Sequence, residues 1–511
     1  MIATIMTGST IGIDGYMIEV EVDITSALPG IVIVGLPDAA VSEAKERIRS
    51  AIKNSGFIFP NKKVIINMAP ADIKKEGSSF DLPLAIGVLV ASELLYLDNQ
   101  KHICLLGELS LDGSLRPVTG VLPISIAAKE NGIKKIIVPA ENGKEASLVN
   151  DVEIFAVNNL LEAIEVLKEN PEFKPLNINK DAIFEDYYHH LNLPDFSEVK
   201  GQEHVKRALE IAATGGHNVL MAGSPGAGKS MLAKAFAGIL PPLEFSEALE
   251  VSKIYSVSGQ LPSGKGLITQ RPFRAPHHTA SSIGIIGGGN IPKPGEISLS
   301  HRGVLFLDEA VEFPRNVLEV LRQPLEDKIV TISRAQLSIT YPADFILLLA
   351  MNPCPCGHRG DAIKQCICAE TKVQKYWSKL SGPLLDRIDI QIEVTRLDEK
   401  EIIGHTPTGD TSETIRNRVN NARQIQINRF KEKGIVCNSQ MNTKLIKKYC
   451  TLNSESENLL LTAIKQLQLS ARAYDRILRL ARSIADLANE KDIKVNHIAE
   501  ALQYRNINKF I

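Results

Sequence analysis

Net charge is what the chain lacks most plainly: 58 lysines and arginines stand against 59 aspartates and glutamates. A nucleic acid or an anionic surface would therefore have to be bound by a local basic patch and not by a global field. An uninterrupted apolar run of about 20 residues, the length of a spanning helix, is also missing. The most apolar stretch, Leu82 to Leu97, contains Ser92 and Glu93. The opening MIATIMTGSTIGID shows none of the charged, apolar and small-residue regions of a secretory signal, so a cytoplasmic protein with no membrane partner is expected. Internal repeats and low-complexity tracts are absent. Cysteine is sparse, seven residues in 511, yet four of them crowd between Cys354 and Cys368. In a reducing compartment such crowding suggests a metal more than disulfides.

What is present is an ordinary globular composition, 44% hydrophobic and 23% charged, with room for about three domains of ~150 residues. Short β-rich runs alternate with helical patterns from Tyr16 to about Glu169, which predicts an α/β domain over 1–170. Its clearest helix is AAVSEAKERIRSAIKNSG, where Val41, Ala44, Ile48 and Ile52 form one stripe and Gly56 stands where the helix should end. A segment rich in Pro, Asn and charge reads as a linker at 171–197. A second α/β unit is expected over 198–395. Helical periodicity, as in Ile477, Ala481, Ile484 and Ala488, marks a small helical domain over 396–511.

The strongest motif is GSPGAGKS: Gly223, Ser224, Pro225, Gly226, Ala227, Gly228, Lys229 and Ser230. It follows the apolar NVLMA and opens the helical MLAKAFAGIL, the strand-loop-helix setting in which backbone amides can wrap a polyphosphate. Lys229 can then reach the β and γ phosphates and Ser230 can ligate Mg²⁺. GVLFLDEA ends an apolar strand in Asp308 and Glu309, a carboxylate for the Mg²⁺ shell beside one able to polarise water. Asn352 closes the strand DFILLLAMNP, where it could hold the γ-phosphate or simply form a turn before Pro353. Arg387, between two aspartates in LLDRID, is either a cation for transferring phosphoryl charge across a subunit boundary or half of a local ion pair. Arg472, Arg476 and Arg479 share a helical face that spacing alone reads as solvated.

The set GSPGAGKS, LFLDE, AMNP, LLDRID and SARAYDRILRLAR, with the entry DFSEVKGQEHVKRALEIAATGGHN, resembles the magnesium-chelatase-like AAA+ ATPases and, within them, the ComM/YifB family. The resemblance runs along the whole chain. It implies an α/β fold of three parts: a Lon-protease-like N-terminal domain (the ribosomal S5 domain 2-like fold), a P-loop AAA+ core with insertions, and a C-terminal helical lid. It further implies ATP with Mg²⁺, Asp308 and Glu309 as the Walker B pair, Asn352 as sensor 1, Arg387 as an arginine finger, Arg472 as sensor 2, and a homo-oligomeric ring, usually a hexamer.

KKEGSSFDLPLA, Lys74 to Ala85, resembles the serine loop of Lon-type peptidases, with Ser79 in the nucleophile's place. That chemistry needs a lysine as general base. The corresponding stretch here is TGVLPISIAA, and Leu122 occupies the lysine's position. A leucine cannot accept a proton, so the serines Ser78 and Ser79 are expected to act as helix N-caps.

Two insertions mark the ATPase core. The first, about 258–302, carries Arg271, Phe273, Arg274, His277 and His278, the histidines being metal ligands or loop-positioning groups. The second, KIVTISRAQLSIT, reads as a hairpin with Arg334 near its tip. Both resemble pore loops of related rings, where Arg271, Phe273, Arg274 and Arg334 would track a DNA backbone and stack on bases, or else be ordinary surface and packing residues. Cys354, Cys356, Cys366 and Cys368 form two C-x-C pairs suited to tetrahedral Zn²⁺ or to unliganded thiols. Three functions are consistent with this inventory. A motor acting on branched or single-stranded DNA without sequence preference, in recombination or transformation, leads; a chelatase-type motor acting on a protein partner is second; an ATP-fuelled protease is disfavoured by Leu122.

Overall fold

The computed structural model describes residues 2–75, 77–97, 100–179, 193–262, 264–289, 292–334, 337–361, 364–396, 409–467 and 469–505. Much of the linker expected at 171–197 lies outside the described residues. The chain divides into two compact units, Met1–Asp186 with Glu244–Thr269, and Tyr187–Leu243 with Gln270–Ile511.

The first unit is built on a seven-stranded mixed sheet. Its strands are β1 (Ala3–Ile11), β2 (Asp14–Thr25), β3 (Gly30–Val34), β4 (Lys63–Ala69), β5 (Ile103–Leu105), β6 (Lys135–Pro139) and β7 (Glu153–Val157), in the order β3-β4-β2-β1-β5-β6-β7. β1, β2 and β4 pair antiparallel, and the other neighbours are parallel. Alternation fixes which face is core: in β4, Val64, Ile66 and Met68 are buried while their neighbours are not. The predicted stripe appears on helix α1 (Ala39–Asn54), which buries Val41, Ala44, Ile48, Ala51 and Ile52. Each larger side chain so buried contributes about 1.5–3 kcal/mol. Helix α2 (Asp81–Ala91) is buried throughout, including Asp81, whose carboxylate receives Arg47 at 2.7 and 3.0 Å and the Leu109 amide at 3.2 Å. Burial raises the Asp81 carboxyl above its ordinary range, and the Arg47 hydrogen bonds oppose the rise.

Helix α3 (Val121–Glu130) carries the buried Leu122, whose amide donates to Glu145 Oε1 at 2.9 Å. The same carboxylate accepts from Asn142 Nδ2 at 3.1 Å and from the hydroxyl of Ser256. Ser256 sits on the helix Phe245–Ser258, which packs against α3 although it follows the P-loop helix in sequence. Desolvation raises the Glu145 carboxyl, and the Ser256 hydroxyl is the first of the donors that counter it.

The second unit holds a five-stranded parallel sheet: β8 (Val219–Gly223), β9 (Phe273–Arg274), β10 (Val304–Leu307), β11 (Ile346–Met351) and β12 (Ile390–Val394), in the order β9-β10-β11-β8-β12. β8 and β10 are buried at every residue, as expected of strands covered on both faces. Helices α4 (Glu203–Gly215), α5 (Lys229–Gly238), α6 (Ser412–Arg429) and α7 (Ala471–Leu487) contribute to the core of this unit. On α7, Ile477, Ala481 and Ile484 are buried as the periodicity predicts, whereas Ala488 caps the helix and is exposed. Ile329–Arg334 pairs antiparallel with Leu337–Pro342, so the predicted hairpin forms with Arg334 opposite Leu337; the Arg334 side chain lies outside the described residues. Among the described residues no helix is long and apolar enough to cross a membrane.

Candidate nucleotide site

The carboxyl ends of parallel strands converge on one edge of the sheet, where ligands of such folds bind. GSPGAGKS lies at the end of β8, Asp308 and Glu309 follow β10, and Asn352 follows β11. Gly226 and Gly228 have φ of +79° and +88°, and a Cβ at either position would meet nothing within 4 Å. The left-handed backbone, and not space, therefore demands glycine there. The turn delivers Lys229 as the first residue of α5. Its ammonium donates to the carbonyls of Gly223 (2.6 Å) and Ser224 (3.0 Å) and to Asn352 Oδ1 (3.3 Å). Burial lowers the Lys229 pKa, with Asp308 and Glu309 acting the other way. Ser230 Oγ donates to Asp308 Oδ2 at 2.6 Å, so the hydroxyl and carboxylate suited to one divalent cation are already in contact. A donor set of one hydroxyl, one carboxylate and nearby phosphate oxygens fits Mg²⁺.

Glu309 takes a left-handed backbone, φ +51°, with its amide bonded to Asp308 Oδ1 at 2.9 Å. A non-glycine residue held there costs about 1–3 kcal/mol and is typical of a functional turn. His278 Nδ1 lies 3.4 Å from Glu309 Oε2, with its ring edge-on to Phe313. His277 stacks against His278 and bonds Thr279. Sequence reasoning left these histidines as metal ligands or positioning groups; the geometry puts one of them against the candidate base.

The arginines form a separate group. Arg387, 7% exposed, donates to the Pro383 carbonyl at 2.6 Å and pairs with Glu326. Arg472 Nη1 stands 4.0 Å from the same Glu326 oxygen and is 65% exposed. Hydrogen bonding to Arg387, then the charges of Arg387, Arg472 and Arg476, hold Glu326 below the usual carboxylate range. The face read as solvated is only partly so. Arg476 pairs with buried Asp389 at 3.0 Å, and burial lowers the Arg479 pKa. Among the described residues neither Arg387 nor Arg472 touches Lys229, Asp308 or Asn352.

Three of the residues proposed to face DNA are occupied inside the unit. Arg271 donates to the carbonyls of Pro241 (2.6 Å), Pro242 (3.2 Å) and Arg302 (2.7 Å). Phe273 stacks on Phe306 with centroids 6.0 Å apart, and Arg274 forms two 2.6 Å bonds to Glu296.

Cys354, Cys356, Cys366 and Cys368 place their sulfurs within 4.8 Å of one another, with the pairs among the first three at 3.3–3.6 Å. A tetrahedral Zn²⁺ with ~2.3 Å bonds requires sulfurs about 3.8 Å apart, so the donor set fits. Desolvation works against ionisation of Cys356, but hydrogen bonds from the His358 and Ile367 amides bring the thiol down to about 6. The knuckle abuts the P-loop: a Cβ on Gly357 would come within 2.7 Å of Pro225 Cδ. Spacing revealed the cluster but not this neighbour.

In the first unit neither serine caps α2. Its cap position is Phe80 with no side-chain cap bond, and the Ser78 hydroxyl is drawn to Glu108 instead. The buried Asp81, anchored by Arg47, sets the start of that helix.

Residues 20–142 match the family described as subunit ChlI of Mg-chelatase, residues 195–402 the magnesium chelatase subunit ChlI family, and residues 409–505 the ChlI C-terminal family. The chain is 42% identical to the Haemophilus influenzae competence protein ComM over 507 residues, 99% of this chain and 97% of that protein. It is likewise 42% identical to Escherichia coli YifB, covering 100% of this chain and 98% of that one. The Rhodobacter capsulatus magnesium-chelatase 38 kDa subunit is 28% identical over 217 residues, 39% of this chain and 55% of that subunit. The matched ATPase domain implies ATP hydrolysis.

Proposed function

Since the chain belongs to the magnesium chelatase ChlI-like family of the ComM/YifB type, we propose that it is an ATP-driven ring motor that moves branch points in DNA. The observation that carries the motor is the 2.6 Å Ser230–Asp308 contact beside the Lys229–Asn352 bond, which gathers the phosphate-binding and metal-binding groups on one sheet edge. In this reading Lys229 and the loop amides bind the phosphates, and Ser230 and Asp308 would hold Mg²⁺, which would supply neutralising charge to the phosphates. Glu309 takes a proton from the attacking water, whose oxygen bonds to the γ-phosphorus while the bridging oxygen leaves with ADP. Asn352 orients water or γ-phosphate. Arg387 and Arg472, gathered at Glu326 away from this set, act on the site of a neighbouring copy.

The full-length likeness to a protein named for competence supports DNA as the track. With Arg271, Phe273 and Arg274 engaged internally, the hairpin carrying Arg334 is the element assigned to it. The test is ATP-dependent resolution of a synthetic four-way junction, with Glu309→Gln as the inactive control. Arg334→Ala is expected to lower junction unwinding and DNA-stimulated hydrolysis together, and affinity should fall steeply with salt as counterions are released. The likeness to a magnesium-chelatase subunit favours a second reading, a motor for a protein partner. ATPase stimulation by such a partner and not by DNA at low salt would select it.

The cysteine knuckle is assigned one Zn²⁺ per chain. Elemental analysis of protein purified without chelator is expected to find near-stoichiometric zinc, lost in Cys354→Ser with Cys356→Ser. Because Gly357 packs on Pro225, the same variant should also weaken ATP binding. A metal-free protein with unchanged nucleotide affinity would remove the knuckle from the mechanism.

A further inference from the structure

Beside the candidate base the second unit has a pocket of about 520 Å³ whose lining includes Glu309, Glu312 and Asn352 together with Lys372, Lys375 and Lys379. Lys372 and Lys375 are one turn apart on the helix Glu370–Trp377, and Lys379 follows it. This helix is fixed firmly: the buried Trp377 indole donates to the Pro353 carbonyl at 3.0 Å, and Arg359 grips Glu370 at 2.7 and 2.9 Å. Lys379 lies 3.6 Å from Glu312 and is partly neutralised. Lys372 and Lys375 are exposed and form no ion pair among the described residues.

We propose that this pocket is an exit subsite for inorganic phosphate, with Lys372 and Lys375 as its anion-binding groups. The inference rests on the reading of Glu309 and Asn352 as the groups beside the attacking water. Water must enter opposite the leaving ADP, so the cleaved phosphate, inverted and detached, has ADP on one side and these two residues on the other. Its free path runs past Glu309 and Glu312, whose carboxylates repel an anion once Glu309 has passed the proton it took from water on to the phosphate. Ammonium groups lining the same pocket offset the repulsion and give the product somewhere to go. The volume exceeds that of a phosphate and leaves room for a guanidinium from a neighbouring copy.

The experiment is inhibition of steady-state ATP hydrolysis by added inorganic phosphate in the presence of ADP, at ionic strength held constant with chloride. Phosphate is expected to inhibit the wild type, and Lys372→Ala with Lys375→Ala should raise the half-inhibiting concentration about tenfold or more. Lys372→Arg with Lys375→Arg should restore it. Both lysines are exposed, so the substitutions spare the core, and ADP affinity measured on the same protein checks the fold. Equal phosphate inhibition in wild type and the alanine variant, or none in either, overturns the subsite. So does loss of four-way-junction binding with phosphate inhibition unchanged, which would make the lysines a DNA contact. Normal hydrolysis by Glu309→Gln would instead remove the underlying reading of the site.

Discussion

Glu309→Gln is expected to bind ATP with wild-type affinity and hydrolyse it at least ~10²-fold more slowly, the loss typical of a missing general base. The amide is nearly isosteric, so the left-handed turn at φ +51° and the bond from its backbone amide to Asp308 are preserved. Only proton acceptance is removed. Lys229→Ala should fail earlier, at binding, because Lys229 is the cation buried against the loop carbonyls and Asn352. Equilibrium binding of a fluorescent ATP analogue beside steady-state turnover separates the two defects. Turnover within a few-fold of wild type in Glu309→Gln would reassign the base, with His278, 3.4 Å from Glu309, as the next group to substitute.

Arg387→Ala is expected to cost about 10³-fold or more in turnover, the scale of an arginine that stabilises transferring phosphoryl charge. Within its own chain Arg387 meets Glu326 and a prolyl carbonyl, so a purely structural role predicts lost stability with modest loss of rate. A role in trans predicts something different. Mixed with Asp308→Ala, the Arg387→Ala protein should recover activity, since its intact nucleotide site can then face an intact arginine. Activity plotted against mixing ratio should peak between the two inactive ends; a flat line would confine Arg387 to its own subunit. Glu326→Gln should keep the arginine's position and release its charge, so its effect on turnover reports how firmly Glu326 holds the guanidinium in reserve.

The parts legible in the sequence share a property: their chemistry is written in a short contiguous string or a simple period. The strand-loop-helix around GSPGAGKS, the alternation in β4, the stripe on α1 and the hairpin at Ile329–Pro342 are of this kind. What was not legible depends on partners distant in the chain. Arg271 and Arg274 look like free cations in a glycine-rich insertion, yet carbonyls and Glu296 claim them. Ser78 and Ser79 have the composition of a helix cap, but the helix begins at the buried Asp81, paired with Arg47, with Phe80 in the cap position. Arg476 and Arg479 have the spacing of a solvated face, and only the packing of Asp389 shows otherwise. The lysines of the pocket carried a visible i, i+3 signal that no motif claimed.

The helix Phe245–Ser258 lies inside the stretch that matches the ATPase family, yet its compact unit is the N-terminal one, where its Ser256 meets Glu145 and its Ala248, Val251 and Ile254 are buried. The chain accordingly passes between units three times, near 186, 243 and 269. No single cut yields two self-sufficient halves. A truncation near 186 therefore strips the N-terminal unit of the helix Phe245–Ser258 and leaves the Glu145 carboxylate without its Ser256 donor.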